Sequence, residues 1–133
     1  MNTDNQNFIN KFVKLCTIVE IYTRLTHWNT ESYSLHKATD SFLSSLLDVQ
    51  DKFVETYAGQ YDIRPNIKNF NVTDQNIQNL INDETVSVID KYRIFRDTFR
   101  TVFSSTTLTS ELDNIKDELL AELNKTIYLL RLK

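Results

Sequence analysis

One glycine, Gly59, and one proline, Pro65, serve a chain of 133 residues. Globular chains average several per cent of each, and tight turns, above all those joining strands, consume them. A chain so short of both is limited to a few long helices joined by few loops, and the expected class is all-α. With 41% apolar and 11% aromatic residues it can bury a core, which excludes disorder. Its 15.7 kDa suit one domain, residues 1–133, and leave no room for two.

Apolar spacing divides the chain into helices. From about Asn5 to Asn29, Phe8, Phe12, Leu15, Val19 and Tyr22 recur with helical period, and Ile9, Val13, Cys16, Ile18 and Leu25 widen the stripe. After a turn through Thr30–Tyr33, with Ser32 or Ser34 as cap, a second helix is expected over Leu35–Ala58. Its seam is Leu35, Ala38, Phe42, Leu46, Val49 and Phe53, and Gly59 is placed to close it in a left-handed conformation. GQYDIRPNIKNFNV reads as the one long loop. Thr73 or Asp74 can cap a short helix, DQNIQNLIN, within that connection. A third long helix is expected over Glu84–Phe103, with Lys91, Arg93, Arg96 and Arg100 on a solvated basic face. Thr106–Ser110 breaks the chain, Ser110 with Asp113 resembles a capping box, and Glu111–Leu132, with Leu112, Ile115, Leu119, Leu123, Ile127 and Leu130 as its seam, completes the set. Two long helices, a crossover carrying a short helix, then two more long helices describe a four-helix bundle of ferritin-like topology.

A net charge of −3 and a pI near 5.3 argue against DNA binding, which requires clustered cations to displace counterions. No apolar run approaches the ~18 residues of a membrane span. The polar start, MNTDNQNF, differs from a secretory signal, and the single Cys16, expected buried and inert, fits a reducing compartment. The expected location is therefore cytoplasmic.

The functional signal is concentrated in residues 24–59, which hold both histidines, the only tryptophan and the only glycine. On the second helix, ~100° per residue aligns His36, Asp40, Leu43, Leu47, Asp51 and Glu55 in one drifting stripe. Asp51 and Glu55, one turn apart, can share a cation, and so can His36 and Asp40. His36 and Asp51 are 15 positions apart, about 22 Å along the axis at 1.5 Å per residue, and no ion bridges that. If the histidines and the acids share a metal, they come from different copies of the chain, and a two-fold axis between antiparallel helices supplies the geometry. His27, closing the first helix, lies across the short turn from His36. Such a mixed nitrogen and oxygen set suits Fe(II), and zinc or manganese could also bind. Read alone, Asp51 and Glu55 are a solvated helix face, a lone histidine at a helix end is a cap, and Trp28 is a core or interface anchor. Asp48 points further round the helix, toward solvent or a cavity. Glu20, one heptad before His27, could orient it.

The segment HWNTESYSLHKATDSF…DKFVE resembles the ferroxidase region of the Dps-like miniferritins. That family's first helix ends in His-Trp-Asn, a second His opens the next helix, and a D-x-x-x-E pair follows 15 and 19 residues later. Here these are His27, His36, Asp51 and Glu55, with Asp40 matching an auxiliary acid. The wording is most similar to uncharacterised Dps-like proteins of phages and large DNA viruses, which would place the chain in the host cytoplasm or a virion. The likeness is specific over residues 24–59 and architectural elsewhere.

It implies a homo-oligomer, a dodecamer with intersubunit iron sites at its two-fold interfaces. There Fe(II) is oxidised by peroxide or O₂ and ferric iron is sequestered, which protects against oxidative stress. It also implies that Trp28 could intercept oxidising equivalents. The family's basic tail for DNA is missing, and the Glu-x-x-His pairs of intrasubunit di-iron bundles are absent, Tyr33 standing three before His36. The competing expectation is a non-catalytic structural or interaction module, for instance a viral component, with a vestigial or zinc-filled site.

Overall fold

The computed structural model describes residues 2–66 and 74–132, and their elements are five helices: α1 (Asn2–Asn29), α2 (Tyr33–Tyr61), α3 (Gln75–Asn82), α4 (Val88–Ser104) and α5 (Ser110–Leu130). The all-α expectation holds for all of these residues. Part of the expected loop, residues 67–72, and the alternative cap Thr73 lie outside the described residues.

Contacts between named residues fix the topology. Tyr57, near the end of α2, has its phenol on Asn5 at the start of α1, so α1 and α2 are antiparallel. Gln60 meets Thr109, and Lys52 meets Glu118 at 3.2 Å, so α5 runs against α2. Thr23, late in α1, bonds Tyr92, early in α4, and Phe12 packs on Phe103, which sets α4 against α1. Arg96 bonds Asn124, closing the ring. Around the bundle the order is α1–α2–α5–α4, the α1–α4 seam being the thinnest. In chain order the long helices run up, down, down and up. Because α2 ends at the opposite end from where α4 begins, the connection must traverse the bundle's length. Within it, α3 is tied at its far end by Lys91, whose ammonium donates to Ile81 O at 2.9 Å.

The core is aromatic through its middle. Phe12 lies 4.4 Å from Phe53, 5.7 Å from Phe103 and 6.2 Å from Phe99 between ring centroids. Such pairs add about 0.5–1.5 kcal/mol each beyond the area they bury. The expected seams of α2 and α5 are buried from Ala38 to Phe53 and from Leu112 to Ile127. On α1, Leu25 is 49% exposed and lies outside the core it was expected to widen.

Several boundaries differ from expectation. Gly59 lies inside α2, without a positive φ, and the helix continues to Tyr61, whose ring packs on Tyr57 at 4.6 Å. Asp62 takes the left-handed conformation instead (φ 55°), its N–H donating to Ala58 O. Residues 84–87 are not the first turn of α4, which begins at Val88 with Ser87 as cap. Asp83 accepts from the backbone and hydroxyl of Thr85 and so holds the preceding turn. The expected capping box at Ser110 is absent: Thr109 occupies the cap position and makes no side-chain cap bond. α5 ends at Leu130 rather than Leu132. Ser32 and Asp74 do cap α2 and α3.

Lys91 does not belong to a solvated basic face, being 7% exposed with its ammonium 5.6 Å from the Tyr22 ring centroid. Arg93, Arg96 and Arg100 do lie on an outer face, each paired with Asp90 or Asp97.

Candidate metal centre

His27, half-buried in the last turn of α1, and the exposed His36, in the first turn of α2, are brought together by the tight Thr30–Ser32 connection. Their rings stack with centroids 3.9 Å apart and planes 18° from parallel. Each holds the other's backbone: His27 Nδ1 lies 2.8 Å from His36 O, and His36 Nδ1 lies 3.0 Å from His27 O. A carbonyl only accepts, so both Nδ1 atoms carry hydrogen and donate. For neutral imidazoles this sets the tautomer and leaves on both Nε2 atoms the lone pair a metal requires.

The buried Thr39 supports the arrangement. Its hydroxyl lies 3.1 Å from His27 Nδ1 and 2.8 Å from Leu35 O, and also reaches His36 O at 3.1 Å. Sequence reasoning missed Thr39; its place three residues after His36, on the α1-facing side of α2, was the available signal. Glu20 is not the partner of His27: its carboxylate lies 3.6 Å from Arg24. Trp28 is 68% exposed, which removes the core reading and leaves a surface anchor.

Ring geometry limits how the pair can hold metal. A ligated ion lies close to the imidazole plane at about 2.0–2.1 Å from nitrogen. Two nearly parallel planes at this separation do not meet at such a distance. Either each imidazole faces its own ion, or the rings rotate apart to share one.

The acids are displayed on the outer side of α2. Asp40, Asp48, Asp51 and Glu55 are all exposed, with the half-buried Leu43 and Val54 and the partly exposed Leu47 between them. Among the described residues none of the four acids makes an ion pair or a side-chain hydrogen bond, although Lys52 in their midst pairs with Glu118. Gln50, on the same helix, has a buried Oε1 without a partner among the described residues. Three metal-binding side chains do not converge anywhere among the described residues of one chain. The structure therefore joins His27 to His36 and leaves Asp51 with Glu55 further along the helix, as the 15-residue gap requires.

No described helix is long and apolar enough to cross a membrane. No curated protein matches the chain, and no solved structure does. One family model matches residues 27–130, a span that includes His27, His36, Asp40, Asp51 and Glu55. The chain belongs to that family, a family of unknown function (DUF5856).

Proposed function

We propose that this chain is a ferritin-like, Dps-type protein that binds Fe(II) at sites shared between two copies, oxidises it with peroxide or O₂, and sequesters the ferric product. The observation that carries the reading is the reciprocal His27–His36 pairing, which commits both Nδ1 atoms to backbone carbonyls and so leaves ligation, in this reading, to Nε2. The up-down-down-up order with its crossover supports the ferritin-like assignment. Asp51 and Glu55, unpaired among the described residues, support a second half-site. In this reading His27 and His36 of one copy meet Asp51 and Glu55 of a two-fold mate, with Asp40 beside His36 as auxiliary ligand. Iron is the substrate. Carboxylate charge favours the ferric state, and open coordination positions admit the oxidant. In this reading Trp28, exposed next to His27, intercepts stray oxidising equivalents. Zinc or manganese would occupy the same donors without this turnover.

The test is anaerobic Fe(II) titration followed by peroxide. Ferric absorbance should develop in the parent chain and be lost in Asp51→Ala/Glu55→Ala. Mixing that variant with His27→Ala/His36→Ala, after dissociation and reassembly, should restore part of the signal, because one interface in the mixed oligomer regains an intact set. A strictly monomeric chain in light scattering would contradict the shared site.

One observation favours a second reading. The histidine pair ties α1 to α2 through its own hydrogen bonds, with no ion needed, and so could serve as a purely structural clasp in a non-catalytic interaction module. That reading predicts no ferric signal and a loss of stability in His27→Ala.

A further inference from the structure

A cavity of about 490 Å³ lies between α1, α3 and α4, beneath the crossover helix. Its size falls within the ~300–1,000 Å³ range of small-ligand sites. The walls are aliphatic on all three elements: Leu15 and Ile18 from α1, Ile77 and Leu80 from α3, and Ile94 and Val102 from α4. The apolar surface continues past the cavity. Ile18, Ile21 and Leu25 follow one stripe of α1 at helical spacing, and Ile21, Leu25 and Ile94 are 48%, 49% and 40% exposed.

Charge enters at one end only. Lys11 and Lys14, a turn apart on α1, line that end, and neither has an ion-pair partner among the described residues. Elsewhere Arg24, Lys52, Arg93, Arg96, Arg100 and Lys116 all sit against acids. Asp74 also lines the cavity, with Oδ1 accepting from the N–H groups of Asn76 and Ile77 at 3.1 and 3.2 Å. Among the described residues, two ammonium groups and one carboxylate leave a single net positive charge at the rim. That matches a monoanionic head better than a dianion.

We propose that this cavity binds a linear alkyl carboxylate, with its head between Lys11 and Lys14 and its chain along the Ile18–Ile94 wall toward Ile21 and Leu25. The apolar track contributes the bulk of the affinity through buried area, and the lysine pair sets polarity and direction. The same chemistry occurs in free fatty acids and, as acyl chains below an anionic head, at lipid surfaces. The aliphatic walls of α1, α3 and α4 favour the free molecule, whose chain can lie between them singly.

The test is calorimetric titration of the full chain with dodecanoate below its micelle concentration, with methyl NMR on the isoleucines. Saturable binding near one equivalent, with shifts at Ile18, Ile77 and Ile94, is expected. Lys11→Gln/Lys14→Gln should weaken it about tenfold, the loss expected from removing a charge-assisted contact of ~1.4 kcal/mol. Dodecyltrimethylammonium should not compete. Absence of saturable binding, equal binding of the cationic surfactant, or an unchanged affinity in the double variant would each overturn the assignment. Sedimentation with phosphatidylglycerol vesicles without a response to dodecanoate would overturn it in favour of a lipid surface. No metal enters these measurements, so their outcome is independent of the iron site.

Discussion

Each imidazole at the α1–α2 turn is held by a main-chain carbonyl rather than by a side chain, and this decides what single substitutions do. His36→Ala removes one proposed ligand but leaves the carbonyl of residue 36, so His27 Nδ1 still has its acceptor at 2.8 Å, with the Thr39 hydroxyl behind it. His27 should therefore remain in the Nδ1–H tautomer in that variant. Long-range ¹⁵N–¹H spectra of the imidazoles should display one protonated and one bare nitrogen, as in the parent. A mixture of tautomers would mean that ring stacking, not the carbonyl, sets the proton. The arrangement also separates folding from ligation. Either histidine can be lost without releasing the other, and under the proposed function metal affinity should fall to that of the remaining proposed ligands rather than vanish.

At the level of elements, Gly59 provides the clearest stability prediction. It sits in α2 without a positive φ, and a Cβ there would meet nothing within 4 Å. Glycine inside a helix costs about 0.5–1 kcal/mol relative to alanine, so Gly59→Ala should stabilise the chain by about that amount in urea unfolding. An unchanged or lower midpoint would contradict the helical placement. The sequence pattern pointed the other way because glycine near a helix end is the commonest left-handed residue. Here the packing of Tyr61 on Tyr57 carries the helix two residues further, and Asp62 accepts the left-handed backbone.

Lys91 was misread for a similar reason. Its position on α4 is at the border of the buried face, and its cover comes from other helices, from Ile81 on α3 and Tyr22 on α1. Periodicity within one helix carries the seams from Phe42 to Phe53 and from Leu112 to Ile127, since burial there follows from the helix's own repeat. It does not carry the seat of α3, nor Thr39 under His27, because those depend on which neighbour covers a boundary position. The His27–His36 meeting was legible, since a three-residue turn between antiparallel helices leaves their ends no other place.

Over the whole molecule, Cys16 and the buried tyrosines are weak acids held in their neutral form, and they set how stability responds to alkali. Burial raises the Cys16 thiol well above its ordinary 9.0, with the Glu20 charge adding to it. Burial likewise pushes the Tyr57 phenol up to about 12, with Tyr61 adding to it, and raises Tyr92 and Tyr22 from their ordinary 10.0. Between the unfolded and folded values the unfolded chain has released protons that the folded chain still holds. Unfolding is then favoured as pH rises. The stability present below about pH 9 should begin to fall as the unfolded thiol ionises, and fall more steeply near pH 10 as the unfolded phenols follow. Melting temperature measured from pH 7 to 11 should display this two-part decline. Cys16→Val, close in volume, removes the thiol's share and should hold the curve level until the phenols take over near pH 10, whatever the variant's starting stability. A decline of unchanged onset would mean that the thiol meets solvent in the folded chain, in which case it would also react with a thiol-directed disulfide reagent before unfolding. The structure, with Cys16 at 0% exposure beneath Glu20, requires the reverse: no reaction in the folded chain and one equivalent on denaturation.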